Sequence, residues 1–169
     1  MYADDTKLHR TTLAAKDCDI LQQDLTSFNT WNHESNLKFN ASKCEVLTAM
    51  RRKSPVIHEY HLGDVILQRV QEVKDLGVTI SSNLSWELHV TRIVLKANRM
   101  LGLLKRTCPL ITDIKVRRTL YLSLVKSQLS YATVVWSPAS VKLRMILERV
   151  QRRATRWILR TRIGEMSYK

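Results

Sequence analysis

The stretch VKDLGVTISSNLSWELHVTRIVLKANRMLGLLKR, residues 73–106, changes its rhythm part-way along. VKDLGVTIS reads as a strand with Gly77 inside it, and a glycine within a strand marks close approach by another backbone or a ligand. From Trp86 onward the apolar residues recur with a period of 3.6, which is the repeat of an amphipathic helix. The same rhythm places helices near 86–106, 113–130 and 139–162, separated by Pro109 and Pro138. Upstream, Ile20, Leu21, Leu25, Phe28 and Trp31 predict one helix over about 18–35, capped by Asp17 or Asp19, with a core-facing apolar stripe. TKLHRTTL (6–13) and Cys44–Met50 read as strands, and VIHEYHLGDVILQRV (56–70) as two strands around a Gly63-Asp64 turn. The expected class is therefore α+β, with short antiparallel strands and one helix in residues 1–85 and only helices in residues 86–169.

Charge follows the same division. The net charge is +13. Residues 1–90 hold ten Lys and Arg against twelve Asp and Glu, or −2, whereas residues 91–169 hold eighteen against three, or +15. A half-chain of that charge repels itself, and a polyanion is the readiest compensation. The last helix sharpens the point. Ile146, Val150, Ala154, Trp157 and Ile158 share one face, while Arg149, Arg152, Arg153, Arg156 and Arg160 form a stripe on another. The planar guanidinium fork suits phosphate oxygens, so the stripe is a candidate for backbone contacts to nucleic acid. A solvated face and a helix lying on lipid headgroups are its alternatives.

Other classes find less support. The acidic N-terminus has no apolar signal region, and the longest uncharged run, 127–141, is too short to span a bilayer. Cys18, Cys44 and Cys108 are odd in number, widely spaced and without a C-x-x-C pair, which argues for a reducing compartment, nuclear or cytoplasmic. HEYH (58–61) is one residue short of the zinc-protease H-E-x-x-H spacing, and a strand would point His58 and His61 to opposite faces.

The chain opens YADDTKL, with Asp4 and Asp5 side by side. Adjacent carboxylates need a cation to neutralise them, and Mg²⁺ suits hard oxygen ligands. YADD resembles the catalytic motif of reverse transcriptases, particularly those of non-LTR (LINE-type) retrotransposons. Two further stretches follow in the order found there. LKFNASKCEVL (37–47) resembles the next palm motif, and DLGVTIS (75–81) resembles the element that grips the primer. LSWELHVTRIVLKANRMLGLLKR and the segment from Leu120 to Leu159 are similar to the helical region beyond the palm.

The resemblance implies an RNA-directed DNA polymerase, in which two metal ions activate the primer hydroxyl and stabilise the leaving pyrophosphate. It implies that Asp4 is the principal Mg²⁺ ligand of this motif and Asp5 its weaker neighbour. Tyr2 would lie along the primer–template and Ala3 would keep the turn small beneath the primer end. Lys43 would assist the departing pyrophosphate, although its spacing alone favours an exposed turn lysine. Leu76 and Gly77 would bring backbone near the primer. Residues 1–85 would be part of a palm and 86–169 a thumb-like region, with an RNA template and a DNA primer as partners, no membrane and no specific protein partner. The family draws a further aspartate and a nucleotide-binding fingers region from upstream segments. The chain is therefore expected to be the C-terminal part of such an enzyme, from a truncated element or a reading frame begun at an internal Met, and inactive alone. A non-catalytic nucleic-acid-binding remnant is the alternative.

Overall fold

The computed structural model describes residues 6–35, 39–50 and 56–159. The fold is α+β: α1 (Ala15–Glu34), six short strands, and the helices α2 (Glu87–Thr107), α3 (Ile114–Leu120), α4 (Ser127–Ser130), α5 (Thr133–Trp136) and α6 (Val141–Leu159). Two compact units result, Met1–Val73 with Ser81–Leu84, and Lys74–Ile80 with Ser85–Lys169.

In the first unit Asp17, rather than Asp19, starts α1. Its carboxylate accepts the free N–H groups of Ala14 (2.9 Å) and Leu13 (2.8 Å), and those two bonds hold its pKa below the ordinary value. Cys18 is buried, with Leu21, Leu25 and Phe28 half-buried along the same side. Trp31 departs from the expected stripe: it is 46% exposed and stacks on Phe28, whose ring also stacks on Phe39. The Gln22 amide joins α1 to β2 (His61–Leu62) by pairing with both the N–H (2.9 Å) and the carbonyl (3.0 Å) of His61. The expected Gly63-Asp64 turn is present, joining β2 to β3 (Val65–Ile66) antiparallel.

Two strand expectations are corrected. Residues 6–12 form no strand, because a strand exists only within a ladder and none of the described residues pairs with them. The strands are not all antiparallel either: β1 (Glu45–Leu47) runs parallel to β4 (Gln68–Val70), in the register Glu45↔Gln68. A parallel pair needs a crossover of a dozen or more residues, and the chain between β1 and β4 is long enough. Arg69 helps to hold it by donating to the Thr48 hydroxyl and to the His58 carbonyl (2.7 Å).

VKDLGVTIS is likewise not one strand but two, β5 (Glu72–Asp75) and β6 (Val78–Ser81), folded back at Leu76-Gly77. Leu76 (φ 43°) and Gly77 (φ 86°) both adopt positive φ, as a two-residue type I′ turn requires. Glycine does so freely, whereas leucine there costs on the order of 1–2 kcal/mol. The turn is anchored within the second unit: the Tyr131 hydroxyl donates to the Leu76 carbonyl (2.9 Å), and a Cβ on Gly77 would lie 3.3 Å from the Tyr131 ring. Gly77 is closely approached, but in a turn and by the Tyr131 side chain, not within a strand by another backbone or a ligand.

The second unit is built on a pair of parallel helices. Lys142 of α6 bonds Glu87 of α2 (3.0 Å), and Arg153 bonds Asn98 (3.1 Å). Both pairs are separated by the same 55 residues, so α2 and α6 run side by side in one direction and in constant register. Val90, Val94, Ala97, Leu101 and Leu104 face Leu143, Val150 and Ala154 in one core, and Ala97 and Ala154 are small enough for close approach. Ile146 and Trp157 pack partly buried against it, as the apolar face of the last helix predicts.

The helix expected over 113–130 begins as foreseen, with the Asp113 carboxylate accepting from the Lys115 N–H (2.6 Å). It then widens into a π-helical stretch, Tyr121–Lys126, before α4. The inward residues Arg117, Tyr121, Val125 and Leu129 recur every four residues. Each such step overshoots an α-helical turn by 0.4 residue, and the wider i→i+5 turns bring the drifting stripe back to the core.

His89 ties β6 to this core. It is 2% exposed, its Nδ1 accepts the Thr79 N–H (3.1 Å), and its ring meets Trp136 edge-on at 5.0 Å. The ring proton therefore sits on Nε2, which has no partner among the described residues. Burial, and then Arg92, lower its pKa from the ordinary 6.5. A histidine with a depressed folded pKa binds fewer protons folded than unfolded, so its contribution is complete above 6.5 and is lost as pH falls from there towards the folded value. The unfolding free energy from urea titration is expected to drop on acidification below that point, by at most about 1.4 kcal/mol per pH unit. His89→Asn, whose amide oxygen can accept the Thr79 N–H, should lose this part of the pH dependence. Equal acid slopes in the two proteins would refute it.

Candidate nucleic-acid interface

Arginines 149, 152, 153 and 156 stand at i, i+3, i+4 and i+7 of α6, so one helical face carries all four. They line a single hollow of about 390 Å³ on the second unit. Arg149, Arg152 and Arg153 are exposed and Arg156 is half-buried. Arg152 pairs with Glu148 one turn earlier (2.8 Å), and Arg153 is steadied by Asn98. No carboxylate among the described residues pairs with Arg149, Arg153 or Arg156. Like charges a few ångströms apart repel by about 1 kcal/mol per pair even at the dielectric constant of water. A ligand of opposite sign would relieve that repulsion. Arg160, the fifth member of the expected stripe, lies outside the described residues.

Sequence reading missed one member of this cluster. Lys105 of α2 is exposed, yet partial desolvation, followed by Arg153 and Arg156, pushes its ammonium below the ordinary lysine value. Its proximity to α6 follows from the parallel pairing, which no local pattern announces.

The other expected site residues are dispersed. Lys43 ends a short 3₁₀ turn, Ala41–Lys43, that Asn40 organises by accepting the Ser42 N–H (3.2 Å) and hydroxyl (2.5 Å). It is exposed. Leu76 and Gly77 form the hairpin turn held by Tyr131. Tyr2, Ala3, Asp4 and Asp5 lie outside the described residues. Among those described, no three His, Cys, Asp or Glu side chains cluster to hold a metal ion, His58 and His61 included. Nor is any described helix long and apolar enough to cross a membrane.

Sequence comparison finds a likeness to RNA-directed DNA polymerases of mobile elements. The chain is 29% identical over 181 residues to the RNA-directed DNA polymerase from mobile element jockey of Drosophila funebris, and equally to that of Drosophila melanogaster. Each alignment covers 99% of this chain but 19% of the relative, so the chain spans about a fifth of their length. No family model matches it, and neither does any solved structure.

Proposed function

We propose that the chain is a piece of an RNA-directed DNA polymerase of a non-LTR mobile element, and that its part in that enzyme is to hold a primer–template. The observation carrying this reading is the likeness to the jockey polymerases along nearly the entire chain. Residues 1–85 are read as part of a palm and residues 86–169 as a thumb-like region whose α6 arginines contact the phosphate backbone. Lys43 stands by the departing pyrophosphate, and the Leu76-Gly77 turn lies against the primer strand. Mg²⁺ bound in part by Asp4 and Asp5 would activate the primer hydroxyl. The described residues supply no metal-holding cluster of their own, so no step is derived through the ion.

For polymerisation, a polypeptide of these 169 residues is proposed to depend on a further palm aspartate and a nucleotide-binding fingers region, as the resemblance implies. Purified, it is expected to give no primer extension with Mg²⁺ or Mn²⁺, while still binding RNA and DNA through the second unit. Template-dependent nucleotide incorporation that disappears in Asp4→Asn would overturn the expected inactivity. Failure to bind any nucleic acid would overturn the primer–template role.

A further inference from the structure

The phosphate-backbone contacts read from sequence fall on α6 alone, yet the cluster of cations does not stop there. We propose that Lys105 and Asn98 of α2 complete, with Arg153 and Arg156 of α6, one seat for a nucleic-acid phosphate that straddles the two helices. This rests on the primer–template reading above and specifies how that reading is carried out.

The parallel pairing makes the seat possible. With a constant offset of 55 residues, Asn98 lies beside Arg153. Lys105 sits two turns further on along the same face of α2, where Arg153 and Arg156 act on its ammonium. Asn98 accepts from Arg153 Nη1 and so fixes that guanidinium, while its remaining N–H donors stay available for phosphate oxygens. Asn98 is thus a positioning residue and Lys105 a contact.

A purely structural account would have these cations neutralise helix dipoles. Lys105 and Arg106 occupy the last turn of α2 and Arg156 that of α6. Two parallel C-termini together present about one negative elementary charge. Lys105, Arg106, Arg153 and Arg156 exceed that several-fold, and among the described residues no carboxylate pairs with Lys105, Arg153 or Arg156. The environment of Lys105 already disfavours its protonated form, through partial desolvation and then Arg153 and Arg156. An incoming phosphodiester reverses the sign of the field there. Binding at alkaline pH should therefore draw a proton onto Lys105.

Calorimetry of the full chain with an oligouridylate and with a mixed-sequence DNA duplex, in buffers of unlike ionisation enthalpy, reads this directly. Wild type should take up protons on binding. Lys105→Met should bind both ligands more weakly, lose the uptake and show a salt slope shallower by about 0.7–0.9. Lys105→Arg should restore affinity and slope without restoring the uptake, since arginine does not titrate. Asn98→Ala should weaken binding while keeping the uptake. Wild-type affinity, slope and proton uptake in a folded Lys105→Met would overturn the seat, and the primer–template reading would stand if reversing the α6 arginines still abolished binding. Proton-linked binding to phosphatidylglycerol vesicles, with none to either nucleic acid, would overturn both.

Discussion

Arg152→Glu, Arg153→Glu and Arg156→Glu together are expected to weaken binding to every RNA and DNA sequence tested, by about a hundred- to a thousand-fold at 0.1 M salt. The figure follows from counterion release. Each neutralised phosphate contributes about 0.7–0.9 to the slope of log K against log salt, so three contacts contribute roughly 2–3 log units between 1 M and 0.1 M salt. The slope itself should flatten by about the same 2–3. Arg152 contributes less than the other two, since Glu148 already pairs with it at 2.8 Å. Reversing it also sets two glutamates at i, i+4, which costs the helix a few tenths of a kcal/mol. The neutral triple variant with glutamine avoids that cost and should show the same flattening without added repulsion. Loss confined to one sequence would mean base readout instead of backbone contact. A folded triple variant with unchanged affinity and slope would make the face merely solvated.

How much of this was legible in the chain depends on the range of the interaction. The three long helices could be read because each carries its own apolar repeat: Val90, Val94, Ala97, Leu101 and Leu104 on α2 need no knowledge of their partner to announce a buried face. The arginine stripe on α6 was legible for the same reason. The Leu76-Gly77 turn was hidden because leucine seldom adopts positive φ, so the sequence around it reads as unbroken strand. The π-helical stretch and the parallel β1–β4 pair answer to packing and to a crossover, neither of which leaves a local pattern. Lys105 was missed because its role depends on a partner helix 48–51 residues away in sequence, where Arg153 and Arg156 lie. The polymerase likeness came from ordered motifs along the chain, the first of which, YADD, is outside the described residues.

Trp136→Ala should cost about 3–5 kcal/mol, the usual range for removing a fully buried large aromatic. That is a large share of the roughly 5–15 kcal/mol that stabilises an ordinary domain. Trp136 is 1% exposed, and it is the side chain on which several separate parts of the second unit meet. Its ring receives His89, which in turn accepts the Thr79 N–H of β6. Its Nε1 donates to the Tyr131 carbonyl (2.6 Å). That bond steadies Tyr131 just before Ala132, which takes a left-handed conformation (φ 51°). The Tyr131 hydroxyl in turn holds the strained Leu76-Gly77 turn. Truncation therefore opens a cavity and also releases a turn that leucine would not adopt unaided. Trp136→Phe separates the two effects: it keeps most of the apolar volume, loses the Nε1 bond, and should cost about 1–3 kcal/mol as the Tyr131 carbonyl is left unpaired. Urea midpoints should fall in that order, and near-ultraviolet circular dichroism should show loss of aromatic packing in the alanine variant first. Because the α6 arginines hold their places through the same core, the alanine variant should lose nucleic-acid affinity as its unfolded fraction grows. The phenylalanine variant should bind like wild type wherever it is folded. If Trp136→Ala kept its urea midpoint, Trp136 could not be the residue that ties the hairpin turn to the helices.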